Sequence, residues 1–503
     1  MFPLLPYNSN KMISHYKIKF MLKNNFNYKG GILLLLVSLF VYSCKYDQTL
    51  QINERNGVTN NISYKVIDTI MPRDAKDIEA SNWSVGAEMM DRDYTIYKNW
   101  KDYLGKLGMK KARIQSGWAK TEKVKGSYDW EWLDEIIHDM SAQHVEPWIN
   151  LCYGNPIYVD GGGTLLFARL PSSEESLKAW ENYVKNIVKR YDKYVTDWEI
   201  WNEPNLKISE EDYAEFLILT SAAIREVSTK ANIIGFATGS NVDAPYIDKV
   251  LQLLKEKNSL GVIDEISYHR HIRVPEDRRA EIELENVVKK YGNIKIRQGE
   301  AGCPSEFSKQ FALSKYPWSE FSQSKHILRR LLTDLGHDIP SCCFTIMDAN
   351  DTPKGWNRKG LLKSAEDMTV EYPKQAYYAI QHLTALFDNT IKKNINFTYS
   401  VSAPEDYKLS VYGYDRIENQ TSVITIWKQG EIPTEDNNFK QLDFTFQNGK
   451  FTTPVYINLI SGCVFEIPKE DWTENNGEYH FKNIPVYDYP IVIADISFVK
   501  RRK

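Results

Sequence analysis

The chain has little excess of charge of either sign. Its formal net charge is −3 over 503 residues, and basic and acidic residues are interspersed along it. Because nucleic-acid binding needs a basic patch or stripe, we predict no nucleic-acid partner. The chain also has only 6 cysteines, with no Cys-x-x-Cys pair and no Cys/His spacing typical of a metal site. The sequence therefore predicts neither a metal nor a cofactor.

The apolar run near the N-terminus, residues 32–41, is too short to span a bilayer as a helix. Two lysines precede it, and Tyr42-Ser43-Cys44 follows it. A charged stretch, an apolar core and a short polar end are the pattern of a signal peptide. The end resembles a bacterial lipobox, in which the cysteine carries the lipid. We therefore predict that residues 1–43 are a lipoprotein signal peptide and that Cys44 anchors the mature chain to a membrane of the bacterial cell envelope.

The remaining cysteines give no disulfide framework. An odd number cannot all pair within one chain, and the vicinal pair Cys342-Cys343 lies in a predicted strand. Buried free thiols are therefore the favoured interpretation. The five are Cys152, Cys303, Cys342, Cys343 and Cys463.

Short apolar runs alternate with amphipathic helical stretches from Trp83 onward, at a spacing typical of βα units. The eight predicted strands are 83–87, 111–116, 145–151, 195–202, 232–238, 262–269, 294–299 and 342–347. Eight such units that close on themselves form a (β/α)8 barrel, whose active site lies at the C-terminal strand ends. We place this barrel at residues 78–388, after a linker over residues 44–77. Within this linker, only residues 62–70 show a weak alternation of apolar and polar side chains.

After the eighth helix, the spacing of apolar residues changes from a helical period to an alternation of apolar and polar residues. Runs such as Leu409 to Tyr414 and Ser422 to Trp427, separated by polar turns, predict an antiparallel β-sandwich over residues 389–503. The predicted fold is therefore α/β, a (β/α)8 TIM barrel with a C-terminal antiparallel β-sandwich domain.

The most informative stretch is WEIWNEPN, which runs from Trp198 to Asn205. A strand sends neighbouring side chains to opposite faces, so Asn202 and Glu203 share one site only if the strand ends there and the backbone turns. Pro204 fits such an end, because proline donates no N–H and disfavours helical geometry in the residue before it. A solvated strand end is the alternative for an isolated Asn-Glu-Pro, but the two flanking tryptophans favour a functional site.

This stretch resembles the acid/base motif of the clan A glycoside hydrolases, and its flanking pattern is most similar to glycoside hydrolase family 39. Those enzymes are retaining (β/α)8-barrel hydrolases that need no metal. The resemblance implies that Glu203, at the end of the fourth strand, is the general acid/base. It also implies that Asn202 contacts the sugar 2-hydroxyl.

A retaining glycoside hydrolase needs a second carboxylate about 5–5.5 Å from the first. The stretch IKIRQGEAG, residues 294–302, ends a predicted strand in Glu300, where the resemblance places the nucleophile. Arg113, in the second strand, is the candidate cation that keeps Glu300 ionised. An ion pair of Arg113 with Glu199 is the alternative, and the two roles are compatible.

The sixth predicted strand ends in Tyr268-His269-Arg270-His271. The family usually has a histidine here and, two residues later, a tyrosine that hydrogen-bonds the nucleophile. Because His271 stands at the later position, we expect His269 or Tyr268 to take that part. Two histidines at one strand end favour a sugar site over a metal site, because no third ligand is evident.

Two tryptophans are candidate platforms for a sugar ring. Trp118 follows the second strand, and Trp356 lies in the loop after the eighth. Together these features predict a retaining hydrolase with a carbohydrate substrate, family-39-like, such as a β-xylosidase or a related exo-glycosidase. Two alternatives stay open: an endo-glycanase or transglycosylase of another clan A family, and a non-catalytic glycan-binding lipoprotein.

Overall fold

The computed structural model describes residues 61–351 and 354–499. The predicted signal peptide and Cys44 lie outside the described residues. Within the described ranges, every helix is too short or too polar to pass through a membrane.

The first described strand, β1 (Val66–Thr69), precedes the barrel and is not part of it. It pairs antiparallel with residues 463–465 near the other end of the chain. The strand lies within the range 44–77 that was predicted as a linker, so part of that range is folded. The sequence pattern that corresponds to β1 is the weak alternation of apolar and polar side chains over residues 62–70.

Eight parallel strands close into a barrel in which the first strand pairs with the last. They are β2 (Trp83–Gly86), β3 (Lys111–Gln115), β4 (Glu146–Leu151), β5 (Asp197–Ile200), β6 (Asn232–Thr238), β7 (Glu265–His269), β8 (Lys295–Ala301) and β9 (Ser341–Cys343). The predicted barrel is confirmed. β5 and β9 end earlier than predicted, and at β5 the reason is a turn of the backbone at Trp201.

Amphipathic helices between the strands cover the outside of the barrel. The described helices are α1 (Tyr97–Trp100), α2 (Trp118–Thr121), α3 (Glu131–Ala142), α4 (Glu174–Tyr191), α5 (Glu210–Val227), α6 (Ala244–Glu256), α7 (Arg279–Val288), α8 (Glu320–Gly336) and α9 (Gln375–Leu386). Serine side chains cap several N-termini, because a hydroxyl oxygen accepts from a free backbone N–H. Ser173 accepts from Ser176 N at α4, and Ser209 accepts from Asp212 N at α5.

The interior of the barrel holds charge as well as apolar side chains. The ring of Trp148 lies between the guanidinium groups of Arg113 and Arg297, whose carbons are 5.6 and 4.8 Å from the ring centroid. Arg297 also pairs with Asp197 and Glu265. Arg113 lies on the side of Trp148 nearer the C-terminal strand ends, where the candidate site is found.

The rest of the chain forms two hairpins and two antiparallel sheets. The hairpin strands are β10 (Ala349–Asp351), β11 (Gly355–Asn357), β12 (Leu362–Ser364) and β13 (Val370–Pro373). The sheet strands are β14 (Ile391–Lys393), β15 (Thr398–Val401), β16 (Leu409–Arg416), β17 (Ser422–Lys428), β18 (Lys440–Gln447), β19 (Pro454–Asn458), β20 (Cys463–Glu466), β21 (Trp472–Asn475), β22 (Glu478–Val486) and β23 (Ile491–Asp495).

These strands make a seven-stranded sheet in the order β1-β20-β19-β23-β17-β16-β14 and a four-stranded sheet in the order β15-β18-β22-β21. The predicted fold class, a TIM barrel with an antiparallel β domain, is confirmed. Glu276, in the loop after β7, joins the two parts. It accepts hydrogen bonds from Arg329 of α8 and from the indole N–H of Trp427 in β17.

Candidate active site

The turn after β5 brings Asn202 and Glu203 to the mouth of the barrel. The backbone enters the left-handed region at Trp201 (φ 67°) and again at Glu203 (φ 50°), and the 3-10 helix Pro204–Leu206 follows. A non-glycine residue in that region costs on the order of 1–3 kcal/mol. The Glu203 N–H donates to Ala237 O at 3.0 Å, which helps to hold the turn. The predicted end of the strand before Pro204 is confirmed.

Gly239, just beyond β6, leaves the space that the Glu203 side chain occupies. A Cβ atom on this glycine would lie 2.4 Å from the Glu203 carboxyl carbon, which is closer than two carbons can approach. The absence of a side chain at position 239 therefore lets the carboxyl group stand at the strand end.

Shifts in strand pairing position the C-terminal ends of β7 and β8, which carry His269 and Glu300. The pairing of β7 with β8 shifts between Tyr268 and His269, so that His269 stands opposite Glu300. The pairing of β8 with β9 shifts between Gln298 and Ala301. Such irregularities re-aim side chains, and here they occur at the strand ends that carry the candidate groups.

Arg113 is fully buried and lies at the centre of a polar network. Its Nε donates to Glu199 at 2.7 Å, and its Nη2 donates to Asn202 Oδ1 at 2.8 Å. Nη1 donates to Glu300 Oε1 at 2.7 Å and to Glu88 Oε1 at 3.0 Å. Both interpretations of Arg113 from the sequence are thus met, because one guanidinium contacts Glu199 and Glu300 together.

The same network fixes the orientation of the Asn202 amide. Because Arg113 has only donors, it must face the amide oxygen, and the amide nitrogen is left to donate. Asn202 Nδ2 donates to the hydroxyl of Tyr153 at 2.9 Å. Tyr153, which follows β4, packs edge-on against Trp201 with ring centroids 5.8 Å apart. Sequence reasoning missed Tyr153, because a single tyrosine after a strand carries no motif.

One histidine nitrogen contacts both glutamates. His269 Nδ1 lies 3.0 Å from Glu203 Oε1 and 3.6 Å from Glu300 Oε1. A carboxylate oxygen of Glu203 lies within 4.8 Å of a carboxylate oxygen of Glu300. The structure therefore brings together Glu203, Glu300, Asn202, Arg113 and His269, as the sequence predicted.

The surroundings of Glu300 favour its ionised form. Burial works to raise the pKa of this carboxyl, but the charge of His269, the hydrogen bond from His271 and the charge of Arg113 outweigh burial and hold the pKa well below its usual range. Burial also works to lower the pKa of His269, yet the charge of Glu300 and the hydrogen bond to Glu203 raise it above its ordinary value. These shifts favour the ionised forms of both Glu300 and His269.

Glu88, two residues beyond β2, is a third carboxyl group that the sequence analysis missed. It is buried, shares Arg113 Nη1 with Glu300, and leaves Oε2 without a hydrogen bond to any described residue. Burial and the nearby charge of Glu300 raise its pKa to about 7. The raised pKa favours the neutral form of Glu88, and a neutral Glu88 leaves more of the charge of Arg113 to Glu300.

His269, one of the two residues expected to contact Glu300, does so, and His271 contacts Glu300 as well. The Nε2 of His271 lies 3.6 Å from Glu300 Oε2, and its Nδ1 lies 3.0 Å from Gly302 O. The placement of Tyr268 in the site is wrong. Neighbouring strand residues point to opposite faces, so Tyr268 is buried outside the barrel wall, among groups that include Arg330 and Asp334.

The two predicted platform tryptophans differ in their placement. Trp118 is fully buried, stacks on Tyr183 and donates its indole N–H to Glu122, so it is a core residue and its prediction as a sugar platform is wrong. Trp356 is half-buried on β11, where the guanidinium carbon of Arg358 lies 4.5 Å from its ring centroid. A role for Trp356 in binding sugar stays a prediction.

Proximity alone would let Glu203, His269 and Glu300 hold a metal ion. The charge beside these three residues argues against a metal ion at this position. Arg113 already places a positive charge 2.7 Å from Glu300 Oε1, and a metal ion at that oxygen would meet electrostatic repulsion from the guanidinium.

Residues 103–295 match the family model described as "Glycosyl hydrolases family 39". The matched segment contains Arg113, Asn202, Glu203 and His269, and it ends where β8 begins. The barrel is thus a glycoside hydrolase domain similar to family 39. Over 130 residues the chain is also 26% identical to the β-galactosidase BgaA of Clostridium cellulovorans, a match that covers 22% of this chain and 20% of that protein. The match thus spans about a fifth of the length of that curated relative.

Solved structures share the architecture of the glycoside hydrolase domain and its β domain. A family 39 glycoside hydrolase from Bacteroides cellulosilyticus superposes with a TM-score of 0.63 at 18% identity, over 86% of this chain and 83% of that one. A monomeric β-xylosidase from Caulobacter crescentus gives 0.54 at 15% identity, over 85% and 97%. A family 39 enzyme from Xanthomonas axonopodis pv. citri gives 0.55 at 14% identity, over 85% and 95%. At these identities the likeness establishes the fold.

Proposed function

We propose that this protein is a retaining glycoside hydrolase that cleaves O-glycosidic bonds by double displacement, as a β-xylosidase or a related exo-glycosidase. The observation that carries the proposal is the spacing of Glu203 and Glu300, whose nearest carboxylate oxygens lie within 4.8 Å. Retaining enzymes have carboxyl groups about 5–5.5 Å apart, and inverting enzymes need about 6.5–9.5 Å to admit a water molecule. The shorter spacing supports retention.

Glu300 is assigned as the nucleophile because Arg113 holds only one of its two carboxylate oxygens. Oε1 accepts from Arg113 at 2.7 Å, whereas Oε2 has a longer contact, 3.6 Å, with His271 Nε2. In the first step Oε2 forms a bond to the anomeric carbon while the bond from that carbon to the leaving oxygen breaks. Arg113 and His269 keep this carboxylate charged until the bond forms.

Glu203 is assigned as the proton donor and later as the base. It gives its proton to the departing oxygen in the first step. In the second step it takes a proton from the water whose oxygen attacks the anomeric carbon, and Glu300 leaves as a carboxylate. The two inversions give net retention. Asn202, oriented by Arg113, is placed to hydrogen-bond a sugar hydroxyl beside the nucleophile.

The stereochemical course is the direct test of this proposal. Proton NMR of the first minutes of hydrolysis of an aryl β-glycoside should show the β-anomer of the sugar first, with the α-anomer appearing later by mutarotation. A substrate cleaved by a known inverting enzyme serves as the control for the timing of mutarotation. If the α-anomer forms first, the assignment of Glu300 as nucleophile is wrong.

The proposal extends to location, through Cys44. The apolar run of residues 32–41 and the Tyr42-Ser43-Cys44 that follows it support export and lipidation. We therefore propose that the mature chain is anchored to a bacterial envelope membrane by lipid on Cys44. A Cys44→Ala chain should lose incorporation of labelled fatty acid and leave the membrane fraction or stay unprocessed. Wild-type chain expressed in parallel is the control. Membrane fractionation that is unchanged in the variant, with no lipid on the wild-type N-terminus, would contradict the proposal.

A further inference from the structure

The hydroxyl oxygen of Tyr153, just beyond β4, accepts hydrogen bonds from two side-chain amides. Asn202 Nδ2 donates to it at 2.9 Å, and Nε2 of Gln115, the last residue of β3, donates to it at 3.4 Å. All three side chains are buried. These contacts join the ends of β3, β4 and β5 at the mouth of the barrel.

An arginine fixes the direction of each of these amides. Arg113 donates to Asn202 Oδ1 at 2.8 Å, and Arg92 donates to Gln115 Oε1. Because a guanidinium has only donors, each amide oxygen must face its arginine, and each amide nitrogen is left to face Tyr153. The Tyr153 oxygen is therefore an acceptor in both contacts, and neither amide can turn to offer it an oxygen instead.

Within the described ranges, no residue accepts a hydrogen bond from the Tyr153 hydroxyl. With two N–H donors on its oxygen, this hydroxyl has only its hydrogen left to offer. Burial raises the pKa of the phenol well above its ordinary value, so the hydroxyl keeps that proton. A buried O–H without an acceptor costs free energy, and a ligand that enters the site can supply the acceptor.

Contacts with its ring hold Tyr153 in place. The guanidinium carbon of Arg92 lies 5.1 Å from the ring centroid of Tyr153 and 5.3 Å from that of Tyr94, so the cation contacts both aromatic rings. Trp201 packs edge-on against Tyr153 with ring centroids 5.8 Å apart. The hydroxyl is therefore positioned before any ligand binds, which is the condition for a specific binding group.

The position of Asn202 indicates which sugar oxygen the Tyr153 hydroxyl reaches. Asn202 and Glu300 accept from the same guanidinium, that of Arg113, so the sugar hydroxyl at Asn202 is the one beside the anomeric carbon, the 2-hydroxyl. The two hydrogens of Asn202 Nδ2 point in different directions, and one of them is directed at Tyr153. The oxygen bound by the other hydrogen therefore lies to one side, and the next oxygen along the sugar ring, the 3-hydroxyl, falls to Tyr153.

We propose that Tyr153 is a substrate-binding residue that donates a hydrogen bond to the 3-hydroxyl of the sugar held between Glu203 and Glu300. This inference rests on the proposed function and narrows it to glycosides whose cleaved sugar has a free 3-hydroxyl. A site built to hydrogen-bond a hydroxyl rejects the analogue that lacks it, because the buried polar group of the site then stays unpaired. Sugars substituted at the 3-position are excluded for the same reason.

The test compares the wild type with Tyr153→Phe on 4-nitrophenyl β-D-xyloside and on its 2-deoxy and 3-deoxy analogues. The β-D-glucoside and β-D-galactoside series are run in the same way, and the best substrate sets the comparison. In the wild type, kcat/KM for the parent should exceed that for the 3-deoxy analogue by about ten-fold or more. Tyr153→Phe keeps the ring but loses the donor, so this ratio should fall to near one, while the ratio of parent to 2-deoxy analogue should be kept.

Tyr158→Phe is the matched control. It removes the hydroxyl of a tyrosine in the same loop, one that donates to Glu122 at 2.6 Å, and it should keep both ratios. Thermal melting followed by circular dichroism checks that Tyr153→Phe is folded, and the wild-type comparison does not depend on that variant. An equal loss on all three substrates in Tyr153→Phe would mark a structural role and overturn the proposal, as would equal rates of the wild type on the parent and its 3-deoxy analogue.

Calorimetry separates this proposal from the proposed function. The methyl β-glycosides of the same three sugars, and their 3-deoxy analogues, are titrated into the wild type and Tyr153→Phe. If a parent sugar binds more tightly than its 3-deoxy analogue only in the wild type, but no glycoside is hydrolysed, the hydrolase assignment fails and the role of Tyr153 stands. If glycosides are hydrolysed with retention and Tyr153→Phe leaves the ratio of parent to 3-deoxy analogue unchanged, the role of Tyr153 is refuted and the hydrolase assignment stands. Failure of every parent sugar to bind better than its 3-deoxy analogue also refutes that role.

Discussion

Glu300→Ala is expected to abolish turnover of every glycoside, whatever its leaving group. The variant lacks the carboxylate that forms the bond to the anomeric carbon. Even an activated aryl glycoside therefore cannot form a glycosyl-enzyme intermediate. Loss of a nucleophile that works with partner residues typically costs on the order of 10⁴–10⁶-fold in kcat. Initial rates with a natural disaccharide and with a dinitrophenyl glycoside measure the loss.

The matched control for this substitution is Glu306→Ala. Glu306 lies in the same loop region, but it is half exposed and pairs with Lys363 and Arg358 outside the network of Arg113. It should keep nearly normal rates. Near-normal turnover by Glu300→Ala would remove the basis for the whole assignment, because Glu300 is the carboxylate that Arg113 and both histidines surround.

Glu203→Ala is expected to discriminate between leaving groups. A natural sugar–sugar bond leaves a basic oxygen that needs a proton, so its cleavage should fall by about 10²–10⁴-fold, the usual contribution of general acid catalysis. A dinitrophenyl glycoside leaves without a proton, and its first step should remain fast. The second step then lacks its base, so the glycosyl-enzyme should accumulate and be visible by mass spectrometry.

Azide should restore turnover of the activated substrate by Glu203→Ala. It is a small anion that needs no deprotonation, and the missing side chain leaves room for it beside Gly239. The product should be the glycosyl azide of retained configuration. Glu211→Ala, an exposed glutamate in the first turn of α5, is the control and should show no azide effect. Equal impairment on both substrates, without rescue, contradicts the role of Glu203.

The barrel and the main site residues could be predicted because they depend on local patterns and one global rule. Apolar runs gave eight strands, and residues that follow such strands meet at one end of a barrel. Asn202, Glu203 and Glu300 are all residues of that kind. Arg113 was found because an ionised Glu300 needs a cation nearby and the second strand carries an arginine.

The errors arise where a side chain's direction depends on tertiary structure. Tyr268 and His269 are adjacent, so one must face away from the site, and the register shift between them is invisible in the sequence. Trp118 follows a strand end, but its neighbours in α4 bury it. Glu88 was missed because no motif marks it. Its contact with Arg113 depends on the pairing of β2 with β3, which the sequence does not show.

The connection of β1 to β20 has a consequence for the order of folding. About four hundred residues separate the two strands, so β1 has no partner until nearly the whole chain has been synthesised. The last strand of the described residues, β23, lies in the middle of the same sheet, between β19 and β17. The sheet therefore cannot assemble from one end as the chain emerges from the ribosome. It closes only when the final strand inserts, by which time every barrel strand has already been made.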